Sequence, residues 1–137
     1  VLSPTNIDER IEVIKRRDAY ENDHEAFIAH WQSEDATLRA RIVAARAALA
    51  DLQTADNALR RVAELCIALG SDGLRGELTL LKAARAFAAF AGDQAVTDEH
   101  IRKTAVLALR HRLRRDPLDE SGSSSRVART VSEILGD

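Results

Sequence analysis

Gly73-Leu74-Arg75-Gly76-Glu77-Leu78-Thr79-Leu80-Leu81-Lys82-Ala83-Ala84-Arg85-Ala86-Phe87-Ala88-Ala89-Phe90-Ala91 decides how this chain folds. Its first five residues place an arginine between two glycines, and the rest is an apolar run with helical spacing and no β-branched pair. Alanine, leucine and lysine have high helix propensity, so the spacing predicts a helix from about Leu74 to Ala91, ended by Gly92-Asp93. The small alanines let a neighbouring helix approach closely. Gly70-Ser71-Asp72-Gly73 is a turn that closes a preceding helix. Arg75 therefore stands where a helix begins, at the end that carries free N–H groups and a partial positive charge. Gly73 and Gly76 allow the backbone to turn tightly and to come near a ligand. A guanidinium at such a place suits a phosphate. The same pattern also fits a surface arginine beside a helix start, solvated or paired with Glu77.

Outward from this stretch the chain reads as helix after helix. Ile7, Ile11 and Ile14 form one stripe of a helix over about Thr5–Tyr20, with Ser3 as cap and Pro4 in its first turn. Asn22-Asp23 breaks that helix and can cap the next. Phe27, Trp31, Leu38, Ile42 and Leu49 mark a long segment from His24 to about Ala50. Its polar cluster Gln32–Asp35 predicts a bend or restart capped by Ser33. Trp31, the one tryptophan, is expected to pack between helices.

A helix over about Ala55–Leu69 is expected to turn Leu59, Val62, Cys66 and Leu69 inward. Thr97 caps a helix that runs to about Arg115 through Ile101, Ala105, Ala108 and Leu109. Val96 can staple onto Ile101. Pro117 stops this helix. Ser121-Gly122-Ser123-Ser124-Ser125 reads as a flexible link to a short helix, Arg126–Leu135. With no alternating strand pattern and no internal repeat, the fold class is all-α, a helical bundle. Residues 1–137 are expected to form one domain, with 116–137 as a C-terminal loop plus a short helix.

Composition narrows the function. The chain has 137 residues, 45% hydrophobic and 4% aromatic, and a net charge of −2. That balance argues against a nucleic-acid-binding domain, where a basic surplus is expected. Charged residues interrupt every window long enough for a membrane span, and no signal peptide is visible. Cys66 is the one cysteine, so an intramolecular disulfide is excluded. The four histidines are scattered, and none forms the i, i+4 pair of a metalloprotease helix. No nucleophile elbow and no phosphate-binding Gly-x-x-x-x-Gly-Lys loop is present. The basic run Arg110-His111-Arg112-Leu113-Arg114-Arg115 fits either the negative end of a helix dipole or an acidic partner. The chain has no methionine, even at position 1, and is expected to be a piece of something longer.

Gly73-Leu74-Arg75-Gly76-Glu77-Leu78-Thr79-Leu80-Leu81 and Ala108-Leu109-Arg110-His111-Arg112-Leu113-Arg114-Arg115-Asp116-Pro117-Leu118-Asp119 resemble the C-terminal part of the magnesium chelatase ATPase subunit, of the AAA+ family. Arg10–Tyr20, Leu65–Gly70 and Arg126–Thr130 extend the resemblance over nearly the whole chain. A looser likeness holds for MoxR-like AAA+ ATPases. The resemblance implies the helical lid that follows an α/β nucleotide-binding core, with Arg75 as the second-sensor arginine that reaches the nucleotide phosphate. Gly73 and Gly76 would then line the cofactor-binding turn.

It implies ATP and Mg2+ as cofactors of the full-length subunit, none for this chain alone, and no bound metal here. The implied partners are the subunit's own AAA+ core, neighbouring subunits of a homo-oligomeric ring, a second AAA+-like subunit and a porphyrin-binding subunit. No nucleic acid is expected among them. The implied activity is ATP-driven insertion of Mg2+ into protoporphyrin IX in (bacterio)chlorophyll synthesis, in the bacterial cytoplasm. The alternative is a non-catalytic helical interaction domain of another MoxR-like AAA+ ATPase.

Overall fold

A computed structural model describes residues 6–71, 73–111 and 122–136, and these build six helices. They are α1 (Ile7–Asn22), α2 (His24–Ala48), α3 (Asp56–Ala68), α4 (Arg75–Ala91), α5 (Asp98–Leu109) and α6 (Ser123–Leu135). The all-α class predicted from composition is the class observed. The chain has two compact units, Val1–Arg41 and Ile42–Asp137, with the boundary inside α2.

Burial explains the division. α1 has no buried residue, and its stripe Ile7, Ile11 and Ile14 is 73%, 44% and 67% exposed. A helical stripe states which side of a helix is apolar, not that another element covers it.

In the first unit, local side-chain bonds hold the helices. Asn6 accepts the Asp8 N–H at 2.8 Å and caps α1, the place expected of Ser3, which lies outside the described residues. Asp23 accepts the Ala26 N–H at 2.9 Å and caps α2, as its position predicts. The Arg16 guanidinium lies over the Trp31 ring at 4.4 Å. Trp31 thus meets a cation of α1 on one side and Phe27 of its own helix on the other, 6.1 Å between ring centres. The expected bend at Gln32–Asp35 is absent. α2 is continuous there, and Ser33 is an interior residue whose carbonyl accepts the Thr37 hydroxyl at 2.9 Å.

The second unit holds the core. α3, α4, α5 and α6 pack around Leu65, Leu69, Leu80, Ile101, Leu109 and Val127, all essentially without solvent contact. Ala84 and Ala88 of α4 are fully buried, which is how an alanine-rich helix packs closely. On α3 the inward residues are Ala58, Val62, Leu65 and Cys66, with Leu69 just beyond. Leu59 instead stays 42% exposed, so the inward face is rotated from the one the spacing suggested. Ser123, Ser124 and Ser125, expected in a flexible link, form the first turn of α6 after Gly122. The end of the expected Thr97–Arg115 helix, the bulk of its basic run and the loop part of 116–137 lie outside the described residues.

Three arginines tie helix ends together. Arg85 donates to the Leu49 carbonyl just beyond α2 at 2.8 Å. Arg126 donates to the Leu69 carbonyl just beyond α3 at 3.2 Å. Arg102 reaches the Leu135 and Gly136 carbonyls at the end of α6, at 3.0 and 3.2 Å, and also pairs with Glu99. Each puts positive charge at the negative end of a helix. A parallel β-bridge adds a further tie: the Gln53 N–H donates to the Gln94 carbonyl at 2.9 Å, and Val96 N–H to the Gln53 carbonyl at 3.1 Å.

The start of α5 is a capping box between Thr97 and His100. His100 is buried, accepts the Thr97 N–H at Nδ1 (3.0 Å) and donates from Nε2 to Asp93 Oδ2 (2.9 Å). Because Nδ1 is an acceptor, the ring proton sits on Nε2. His100→Ala deletes both bonds and an edge contact with Phe87. Chemical denaturation should show a loss of about 2–3 kcal/mol, since a buried ring is removed and the Thr97 N–H and Asp93 lose their partner.

Candidate functional site

The connection between α3 and α4 is built from two left-handed glycines. Gly70 has φ +65° and Gly73 φ +61°. Such angles are strained for any side chain that carries a Cβ. The Ser71 N–H donates back to the Cys66 carbonyl at 3.0 Å and Gly70 N–H to Ile67, which closes α3. The chain then enters α4 at Arg75 with Leu74 before it, a residue that cannot cap. Among the described residues no side chain caps the amides of the first turn.

Arg75 is exposed, and its guanidinium has no hydrogen bond or ion pair to a described residue. Its carbonyl accepts the Thr79 hydroxyl at 2.7 Å, which steadies the turn above it. The sequence-level option of an Arg75–Glu77 pair is not realised, as expected of residues two apart on a helix. Leu74 and Leu78 flank the arginine and are 74% and 54% exposed. A lone cation beside uncapped amides on an open face can accept an anionic group that is brought to it.

The two glycines do different work. Gly73 supplies the turn, and open space surrounds the position of a Cβ there. Gly76 is buried: a Cβ on it would lie 2.8 Å from Ser71 Oγ, 3.1 Å from Ser71 Cβ and 3.3 Å from Cys66 Sγ. Its smallness lets the start of α4 press against the end of α3.

Sequence reasoning missed the polar group on this inner side. Ser71 Oγ and Glu77 Oε2 are both buried without a hydrogen-bond partner. Cys66 sits among them with its thiol pushed up to about 11, first by burial and then by the negative charge of Glu77, against the pull of the Ser71 hydroxyl. The i, i+5 and i, i+6 spacings that join these residues cross a turn, so helical periodicity could not reveal them. Cys66 should resist thiol reagents at neutral pH until the protein unfolds. Its buried neutral form stabilises the fold fully below pH 9.0, the ordinary value, and that contribution is lost as pH rises toward 11. Denaturation midpoints of wild type and Cys66→Ala across this range check the sign: the wild type should lose stability more steeply.

Among the described residues no three His, Cys, Asp or Glu side chains gather where they could hold a metal ion. No described helix is long and apolar enough to cross a membrane. His100 is committed to the α5 start, and His24 and His30 make ring contacts with Tyr20 and Trp31.

Comparison with known proteins bears on the same elements. Residues 59–133 match the AAA lid domain family, a span from α3 through α6 that contains Arg75. The chain is 62% identical over 135 residues to the magnesium-chelatase 38 kDa subunit of Cereibacter sphaeroides, covering 98% of this chain and 40% of that protein. It is 55% identical over 135 residues to the magnesium-chelatase 38 kDa subunit of Rhodobacter capsulatus, covering 98% and 39%. A solved structure of the complex between the BchI and BchD subunits of magnesium chelatase is similar at 45% identity over 93% of this chain and 38% of that one, with a TM-score of 0.40. The chain thus spans about two fifths of the length of the curated relatives it matches.

Proposed function

This chain belongs to the AAA lid domain family, and from that premise we propose that it is the C-terminal lid of the ATPase subunit of a magnesium chelatase. In this reading the lid helps couple ATP hydrolysis to insertion of Mg2+ into protoporphyrin IX in (bacterio)chlorophyll synthesis. The carrying observation is the exposed guanidinium of Arg75, unpaired among the described residues, at a helix start that Leu74 does not cap. Arg75 donates to a nucleotide phosphate held by the core of the same subunit, and the first-turn amides of α4 add their partial charge. Such a charge-assisted bond is worth about 1.5–3 kcal/mol.

The residues present fit a phosphate and not a whole nucleotide. The phosphate loop and the Mg2+-binding acidic groups belong to the core, so this chain alone is not a catalyst. ATP with Mg2+ supplies the phosphoryl group whose loss changes what Arg75 can hold. Because Arg75 is fixed to α4, and α4 to the rest of the bundle, losing that hold frees the lid to move. The partners in this reading are the subunit's own AAA+ core, neighbouring copies in a ring, a second AAA+-like subunit and a porphyrin-binding subunit, in the bacterial cytoplasm.

Supplying the core domain in trans tests the reading. Calorimetric titration with ATP should give negligible heat for this chain alone, and tighter binding for core plus chain than for core alone. Equal affinity with and without the chain would remove the lid role.

A further inference from the structure

Glu77 is a first-turn acid of α4 that no described cation pairs with. Its Oε2 is buried with no hydrogen-bond partner, and no ion pair joins it to a described residue. Its charge is felt by the Cys66 thiol, which stays protonated at neutral pH. A carboxylate left this way is unfavourable for folding. It sits two residues from Arg75 on the first turn of α4, on the inner side while Arg75 points out. Partial burial keeps water and salt from screening it fully.

We propose that Glu77 sets how tightly the Arg75 end of α4 holds a nucleotide phosphate, its negative charge opposing the guanidinium and the first-turn amides. The proposal rests on the lid reading above. An anion approaching Arg75 meets the guanidinium's attraction less the repulsion from Glu77. At separations of about 8–10 Å and an effective dielectric of about 20–40, that repulsion is worth roughly ten-fold in affinity. The opposition keeps the closed lid from holding nucleotide too long, so Glu77 acts as an affinity-setting residue and takes no part in bond making.

The test uses the complete ATPase subunit with MgADP and a non-hydrolysable ATP analogue as probes, in calorimetry and steady-state hydrolysis. Glu77→Gln keeps the shape and removes the charge. It should bind both probes roughly ten-fold tighter and lower KM without raising kcat, while thermal stability holds or rises. Glu77→Asp, which keeps the charge, should bind as the wild type does. Ser71→Ala removes the other unpartnered atom and no charge, and should leave affinity alone. In an Arg75→Ala background the Glu77→Gln gain should shrink. Unchanged or weaker binding by Glu77→Gln, in a subunit that Arg75→Ala inactivates, overturns this proposal and leaves the lid reading standing. Full hydrolysis by Arg75→Ala overturns the lid reading itself.

Discussion

Arg75→Ala in the complete ATPase subunit should cut ATP hydrolysis by about 10- to 150-fold, the equivalent of one charge-assisted hydrogen bond of about 1.5–3 kcal/mol. The fold should not notice. Arg75 is exposed and makes no side-chain bond to a described residue, so its removal leaves no cavity and no orphaned partner. Circular dichroism and the denaturation midpoint should match the wild type within about 0.5 kcal/mol. That separation of activity from stability is the informative part, because a packing residue would lose both together. Arg75→Lys should stay impaired: an ammonium keeps the charge but lacks the planar fork that bonds a phosphate at two points. Steady-state hydrolysis across a range of ATP concentrations distinguishes a loss in kcat from a loss in KM.

Gly76→Ala should do the reverse and damage stability first. Two effects compete. Replacing glycine inside a helix gains about 1 kcal/mol in propensity. Against this, the new methyl would lie 2.8 Å from Ser71 Oγ, 3.1 Å from Ser71 Cβ and 3.3 Å from Cys66 Sγ. The hydroxyl can rotate away, giving up only its weak interaction with the Cys66 sulfur. The Ser71 Cβ cannot, because the turn on which it sits is fixed by the Ser71–Cys66 backbone bond. Overpacking of this kind costs about 1–3 kcal/mol, so the sum is a net loss of up to about 2 kcal/mol for alanine. Gly76→Val should lose more, with two further methyl groups and poorer helix propensity. Equilibrium denaturation measures both. Ser71→Gly should recover part of the loss in the alanine variant, because it deletes the immovable contact. A Gly76→Ala protein as stable as the wild type would mean that the turn yields more easily than its hydrogen bonds suggest.

Much of the bundle was legible from local chemistry. Thr97 ahead of Asp98 and Glu99 announces a helix start, and Val96 and Ile101 are both buried where a staple would put them. Gly92 ends α4 in the left-handed conformation, with φ +88°. Arg75 at the α4 start was readable for the same reason, since glycines and an apolar run mark a helix boundary within a few residues. The failures share a cause. Periodicity reports which residues lie on one side of a helix, and nothing local reports whether another helix arrives there. Ile7, Ile11 and Ile14 therefore read as one stripe and stay exposed, and Leu59 reads as inward with Val62, Cys66 and Leu69 but alone of the four stays exposed. Ser123–Ser125 read as a link because serine favours turns, yet α6 buries Val127 and Val131 against the bundle, and that packing extends the helix back through them. Arg85, Arg102 and Arg126 look like surface charge until their targets, 33 to 57 residues away, are in place. The buried group of Cys66, Ser71 and Glu77 was hidden by the turn that assembles it.

Two of those arginines have a mechanical consequence. A bundle laced only by side-chain packing can shear, with one helix sliding while its neighbours stay. Here the end of α3 is clasped from α6 and the end of α6 from α5, so sliding α6 along either neighbour must first break a charged bond. A tug delivered to α6 from outside would then be passed on to α3 and α5 and not dissipated as slip between them. The last helix of the chain, α6, is clasped at its far end through Arg102 and fastens α3 through its own Arg126, so it would swing with the rest.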